Sequence, residues 1–255
     1  MCNLYHMSPK DAFEIYVRRH LGKVWFPEAP LKPVVGPFGV GQFVRPDGEG
    51  GLVGVNGQWG LIRVDAPERI SYVHPKAVPG KKPPAPRPLS TNNARAETVE
   101  SLPTFRDAWK AGRRCLIPAS WYQEPNWETG KNIWWQLKRA DGMPWMLAGI
   151  WNEWTDPAAG ELVPSFTMLT VNCDTHPLLA RLHKPDPKLP SHAQDKRALV
   201  HVDPGFWDQW LSGKRDDARQ LLVPAPVEMF DLADAARTDA ALATQARARS
   251  LVSNG

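Results

Sequence analysis

The sequence predicts an α+β fold in which a mainly antiparallel, barrel-like sheet carries short peripheral helices. Three observations predict it. Runs rich in β-branched and aromatic residues recur along the chain, Gly, Asn and Asp signals separate them, and helical periodicity appears only in brief stretches with no βαβ alternation or internal repeat. The 255 residues, 42% of them hydrophobic, suffice for a sizeable core without covalent staples.

Taken in order, Ser8-Pro9-Lys10-Asp11 reads as a helix start, with Ser8 as N-cap and Pro9 in the first turn, continuing through AFEIYVRRHLG to Gly22. After a Pro-rich stretch, LVGV and QWGLIRV flank Asn56-Gly57, the strongest hairpin signal in the chain. TFRDAWKAGRR predicts a short helix. NIWWQLKR and MPWMLAGIW flank Ala140-Asp141-Gly142, a second hairpin. SFTMLTVNC, RALVHV and PVEMFDL predict strands, and HPLLARLH and PGFWDQWLSG predict short helices. KKPPAPRP (81–88) reads as a stiff polyproline-like surface loop or, alternatively, a PxxP ligand. Residues 1–232 form one domain on this reading, and 233–255 an Ala/Arg-rich tail, helical or partly disordered.

Composition narrows the function. Cys2, Cys115 and Cys173 are odd in number and hold no CxxC pair, which argues against a disulfide framework and a closed zinc site. No basic start leads into an apolar run, no apolar stretch approaches membrane-spanning length, and no N-x-S/T sequon occurs, so a soluble, cytoplasmic, monomeric protein is expected. A net charge of +4 favours an anionic partner. Twelve tryptophans include Trp59, Trp109, Trp134 and Trp135 close in sequence to basic residues, a mixture that suits single-stranded nucleic acid as well as an aromatic core.

Four stretches could carry chemistry. Cys2 becomes N-terminal if Met1 is removed, and then offers an amine with a pKa of about 7.7–8.0 beside a thiol near ~8.5. Such a 1,2-aminothiol suits an aldehyde: the amine forms a Schiff base and the thiol closes a five-membered thiazolidine. In STNNARAETVE, Asn93 can orient a polar group, Arg95 can hold a phosphate in a fork, and Glu97 and Thr98 can start or cap a helix. Glu124 follows a hydrophobic strand among Trp121, Tyr122 and Trp127, surroundings that would raise a carboxyl pKa by desolvation and suit a proton donor near pH 7. In TMLTVNCDTHPLLARLHKP, one of His176 and His183 is a candidate acid/base, and a metal site with Cys173 lacks both spacing and a fourth ligand. No metal or other cofactor is expected.

These stretches together resemble the SOS-response-associated peptidase (SRAP) family of abasic-site sensors. The resemblance rests on Met1-Cys2, NARAET (93–98), RRCLIPA (113–119) with Glu124, LAGIW (147–151), MLTVN (168–172) and HPLLARLHKP (176–185), all in the family's order. It implies the family's fold and a covalent crosslink from an exposed Cys2 to the C1′ aldehyde of an abasic site in single-stranded DNA, made in the DNA damage response by a protein recruited to the nucleoid. It implies that Asn93 positions the opened sugar or the cysteine, Arg95 holds a flanking phosphate, Glu124 shuttles protons with lyase-like Schiff-base chemistry, and His183 helps open the sugar ring. Thr170 is implied as a weaker polar contact to DNA, and Arg197 as the stand-in for the arginine of the family's His-x-Arg motif. The chain departs from that pattern at Asn3 and Leu4, at Pro125, and in the long segment after His183.

Two other readings compete. Cys2 can serve as a peptidase or amidase nucleophile with His183 as base, removal of its own Met1 being the expected cleavage. Alternatively, the domain binds single-stranded nucleic acid without covalent chemistry.

Overall fold

The computed structural model describes residues 2–9, 11, 16–17, 24–25, 27, 30–76, 79–80 and 82–253, with backbone alone at 24–25 and 249–253. Asp11, Tyr16 and Val17 are helical, and the rest of the helix predicted over 8–22 lies outside the described residues apart from Ser8 and Pro9, which precede it.

The strands are β1 (Tyr5–Met7), β2 (Val24–Trp25), β3 (Val34–Val35), β4 (Val40–Pro46), β5 (Leu52–Trp59), β6 (Tyr72–Val73), β7 (Arg87–Pro88), β8 (Asn93–Arg95), β9 (Arg114–Asn126), β10 (Ile133–Leu137), β11 (Trp145–Thr155), β12 (Leu162–Asn172) and β13 (Arg197–Leu199). Five of them close into a barrel in the order β11-β12-β5-β4-β9 and back to β11. Four of the five junctions are antiparallel, and β12 meets β5 in parallel. Closure removes the sheet edges on which unpaired backbone would otherwise be stranded.

The long strand β9 organises the rest. Along one edge it meets β4 (Leu116 opposite Val44) and then β1 (Tyr122 opposite Tyr5). Along the other it meets β11 (Leu116 opposite Ala148) and then β10 (Tyr122 opposite Leu137). Its first half therefore belongs to the barrel, and its second half leaves the barrel carrying the chain start on one side and β10 on the other. β8 runs parallel to β12, Asn93 opposite Met168, which brings the NARAET stretch to the same end.

The predicted hairpin at Asn56-Gly57 is not formed: β5 runs straight through these residues, with Asn56 opposite Gln42 and Gly57 opposite Gly41. The reversal lies at 47–51, where Gly48 and Gly50 have φ of 92° and 91° and Asp47 Oδ1 accepts the N–H groups of Glu49 and Gly51, each at 2.8 Å. Gly57 is required by packing: a Cβ there would lie 2.8 Å from the Phe43 ring and 2.9 Å from the Pro164 carbonyl oxygen. The turn at Ala140-Asp141-Gly142 does form, with Gly142 at φ 72°, yet β10 and β11 pair with separate halves of β9 and not with each other. PVEMFDL holds a 3-10 turn, Val227–Met229, and HPLLARLH only another, Leu179–Arg181. The predicted helices appear at Pro103–Lys110 and Trp207–Ser212. Arg87–Pro88 of the Pro-rich loop pairs with β6, while Lys81 lies outside the described residues. The tail forms the helix Ala233–Ser253, fastened where Trp135 Nε1 donates to Thr238 Oγ1 at 3.0 Å and the Gln136 N–H to Asp234 at 2.7 Å.

Seven tryptophans, at 59, 109, 135, 145, 154, 207 and 210, are fully buried. Ring burial on the order of 200 Å² apiece makes each a large single contribution to the core. The arginines over their faces come from elsewhere in the chain: Arg219 covers Trp109 at 5.7 Å and Arg181 covers Trp135 at 5.1 Å. The sequence neighbours of Trp59, Trp109 and Trp135 thus do not make a nucleic-acid surface of those rings, whereas Trp134 remains 54% exposed. Among the described residues no helix is long and apolar enough to cross a membrane.

Gly149 on β11 sits where an added Cβ would meet Ile117 Cδ1 at 2.4 Å and the Thr167 carbonyl oxygen at 2.6 Å. Because one obstacle is backbone, Gly149→Ala is expected to cost about 1–3 kcal/mol of unfolding free energy, read from urea denaturation midpoints, whereas Gly130→Ala on an open turn loses only what its φ of 83° imposes.

Candidate active site

The site lies where the chain start, β8, β9 and the segment before β13 converge. Cys2 is fully buried, contrary to the exposed position expected, and its nitrogen is a peptide amide while Met1 is attached. Its carbonyl oxygen accepts Nδ2–H bonds from Asn93 at 2.7 Å and from Asn92 at 3.1 Å. Asn92 is itself fixed: its carbonyl accepts the Trp59 indole N–H at 2.8 Å, and its side-chain oxygen accepts the Ser90 hydroxyl at 2.8 Å. A clamp rooted in the barrel core therefore sets the backbone of Cys2. Asn92 was not singled out by the sequence; its signal was its place beside Asn93, for which the resemblance implies a role in positioning the sugar or the cysteine.

Leu4 continues the arrangement, accepting the Gln123 N–H at 3.0 Å and the Cys2 thiol at 3.4 Å. Desolvation first, and the charge of Glu124 second, push the Cys2 thiol far above its ordinary value, so the sulfur is held as a neutral thiol.

Glu124 alternates inward with Tyr122 and Asn126 along β9 and is 3% exposed. Burial raises its carboxyl to about 7, while the positive amino terminus pulls the other way. His183 Nδ1 lies 3.5 Å from Glu124 Oε2. Burial, followed by the repulsion of the amino terminus, lowers the His183 imidazole to about 4, so it is neutral at pH 7. Its Nε2 lies 3.1 Å from the Arg197 carbonyl oxygen. A carbonyl only accepts, so Nε2 carries the hydrogen and the Nδ1 lone pair faces the carboxyl group.

His183 reaches this place because its segment is bridged to the end of β9, Leu182 opposite Asn126, with the His183 N–H donated to the Pro125 carbonyl at 2.6 Å. Its φ is 61°, a left-handed conformation costing roughly 1–2 kcal/mol in a non-glycine residue. His176 is structural: Nδ1 accepts the N–H groups of Leu178 and Leu179, and Nε2 donates to the Ala225 carbonyl. Among the described residues no group of three or more His, Cys, Asp and Glu side chains is placed to hold a metal.

The remaining candidates ring this centre. Arg95 is 45% exposed at the rim and pairs with Asp195 at 2.7 Å. Thr170 is 1% exposed, its hydroxyl 3.4 Å from the Ala94 carbonyl. Arg197 is 5% exposed and grips Glu97 through both terminal nitrogens, at 2.9 and 2.7 Å, and the Thr170 carbonyl at 2.8 Å. Burial keeps Thr170 and Arg197 behind the wall of the site, where they tie β8, β12 and β13 together. A cleft of about 530 Å³ opens onto the centre, lined by Asn3, Leu4, Gln123, Pro125, Trp134 and His183. The exposed Trp134 lies directly across from Pro125.

The model of the SOS response associated peptidase (SRAP) family matches residues 5–237. The chain belongs to the SRAP family. A solved protein structure from Bordetella bronchiseptica superposes with a TM-score of 0.70 at 30% identity, covering 90% of this chain and 97% of that one. Among curated proteins, the chain is similar to the "Abasic site processing protein YoqW" of Bacillus subtilis (strain 168), at 26% identity over 47% of this chain and 53% of that protein. It is also similar to "Abasic site processing protein YoaM" of the same organism, at 25% identity over 52% of this chain and 53% of that protein. The chain spans about half the length of these curated relatives. The SRAP match covers every candidate residue except Cys2, which precedes it by three positions.

A carboxyl raised to about 7 destabilises the folded protein as pH rises from about 4.5 to 7, because the native state holds a proton that the unfolded chain releases. Glu124→Gln removes that loss. Its stability relative to the parent is therefore expected to improve from pH 5 to pH 7.5, as measured by urea unfolding at the two pH values; a constant difference contradicts the raised value.

Proposed function

We propose that this SRAP protein captures abasic sites in single-stranded DNA by a covalent thiazolidine on Cys2 after loss of Met1. The observation that carries the reading is the convergence of a clamped Cys2 backbone, a buried carboxyl near neutrality and a neutral histidine 3.5 Å from it. The abasic-site names of YoqW and YoaM support the same substrate.

The chemistry balances without a cofactor. The Cys2 amine adds to the C1′ aldehyde, the carbinolamine loses water to give an imine, and Sγ then adds to the imine carbon while its proton passes to nitrogen. The sum is aldehyde plus aminothiol giving thiazolidine plus water. Glu124 protonates the departing hydroxyl, and His183 serves the sugar oxygen during ring opening. Asn93, with Asn92, presents the Cys2 amine by holding its carbonyl. Arg95 meets a flanking phosphate when it exchanges its exposed Asp195 partner, since a rim ion pair contributes only about 0–1 kcal/mol. Thr170 and Arg197 act by holding Arg95 and Glu97 in place. Sulfur closure removes the imine through which β-elimination would cut the strand, so the adduct shields the lesion.

The experiment is a denaturing gel with single-stranded DNA carrying one abasic site, with intact mass of any adduct. A heat-stable band that lacks the mass of Met1 and is absent for Cys2→Ala is the expected result. No band, together with turnover of an added peptide, would replace the proposal with a cysteine peptidase. Salt-sensitive DNA binding unchanged by Cys2→Ala and without an adduct would leave a plain binding module.

The pH profile tests the roles. An amine at about 7.7–8.0 that must be neutral, and a carboxyl at about 7 that must be protonated, predict a bell-shaped crosslinking rate between them. Glu124→Gln is expected to slow the reaction by about a hundredfold and abolish the alkaline fall. A flat profile from pH 6 to 8 would sink the amine assignment.

A further inference from the structure

Between His183 and β13 the chain makes an excursion, residues 184–195, that returns to its own starting point. The excursion is closed internally by Gln194, whose side-chain oxygen accepts the Asp186 N–H at 2.7 Å and whose amide nitrogen donates to the Leu189 and Pro190 carbonyls at 2.9 Å each. At its base stands Lys196, 7% exposed. The Lys196 ammonium donates to the Leu182 carbonyl at 2.7 Å and the His183 carbonyl at 2.6 Å. Its own backbone is held by Asp174, which accepts the N–H groups of Asp195 and Lys196 at 3.0 and 2.8 Å.

We propose that Lys196 is a positioning residue for His183, locking its left-handed backbone so that Nε2 meets the Arg197 carbonyl and Nδ1 faces Glu124. The inference rests on the acid/base role proposed for His183 but makes a separate claim about how the imidazole is aimed.

The physical argument starts from the backbone. A φ of 61° is disfavoured for histidine, so something outside the residue must hold it there. The N–H bond to Pro125 fixes one side of the residue. A carbonyl in an irregular segment with limited access to water needs its own donor, and a buried ammonium spanning two consecutive carbonyls supplies a charge-assisted one. Lys196 and the Arg197 carbonyl are adjacent in the chain, so one backbone segment grips His183 twice: the lysine holds its carbonyl and the next peptide holds its ring. Rotation of the ring would put the Cδ2 carbon where Nδ1 faces Glu124, and loss of the Arg197 carbonyl contact would free the hydrogen to move from Nε2 to Nδ1, presenting an N–H to Glu124 in place of a lone pair. The excursion is thereby a device for bringing Lys196 and Arg197 back to the histidine it leaves from.

The test compares Lys196→Met, Lys196→Arg and a chain with residues 187–193 replaced by a short Gly/Ser linker that keeps Lys196. Two readings are taken: the crosslinking rate at saturating abasic DNA, and the His183 tautomer from ring-nitrogen NMR shifts. The expected result is an Nε2-protonated imidazole in the parent. Lys196→Met loses that fixed tautomer and at least about tenfold in saturated rate with little change in half-saturating DNA concentration. Lys196→Arg recovers part of both, and the linker chain keeps both. An unchanged tautomer and rate in folded Lys196→Met overturns the proposal, and so does a loss confined to DNA affinity, which would make the lysine a phosphate contact. If the parent forms no adduct, the proposed function fails, while the tautomer comparison still decides whether Lys196 aims the ring.

Discussion

Closure of the barrel through β9 is the constraint on which the rest of the structure depends. The first half of this thirteen-residue strand, Arg114 to Ala119, pairs with β4 and β11 to complete the ring, and the remainder overshoots it. That overshoot carries Glu124, gives β1 and β10 an edge each, and ends where Leu182 bridges Asn126. Barrel register thereby fixes the height of the carboxyl relative to both the chain start and the histidine.

Burial then does the chemical tuning. Glu124 and His183 shift in opposite directions, to about 7 and about 4, for the same reason: a dry setting disfavours whichever form is charged. At neutral pH the imidazole is therefore uncharged and a large share of the carboxyl keeps its proton, which a solvent-exposed carboxyl would not do. Seven tryptophans are fully buried in the protein. One of them, Trp59, transmits the barrel's rigidity to Cys2 through Asn92, and it meets Tyr5 edge-on at 5.0 Å.

Polar residues behind the site carry a comparable load. Arg197, Glu97, Asp174 and Lys196 join β8, β12 and β13 through bonds that are largely side chain to backbone. A buried cation without such partners would be strongly destabilising. Here each hydrogen bond also fixes a backbone segment that bears a site residue.

The fold class was legible in the sequence, because the apolar, β-branched and aromatic runs of β9, β11 and β12, the turn residues between such runs and the lack of βαβ alternation are local properties. Cys2 as a candidate nucleophile and Glu124 as a candidate proton donor could be read from their own stretches, whereas the choice of His183 over His176 and the pairing of Asn93 with the cysteine were implied by the family resemblance. Tertiary structure alone decided what depends on distant partners. Asn56-Gly57 carries a turn signal, yet the contacts of Phe43 and Pro164 make Gly57 a packing glycine inside a strand. HPLLARLH has helical spacing, but its bridge to β9 draws it into a 3-10 turn and a left-handed His183. The family resemblance implies DNA contacts for Arg197 and Thr170, yet both are buried ties between strands in the fold, because no local pattern records which side of a barrel wall a short strand will face. The hold of Lys196 on His183 and of Asn92 on Cys2 spans 13 and 90 positions, and contacts of that kind exist only once the barrel has closed.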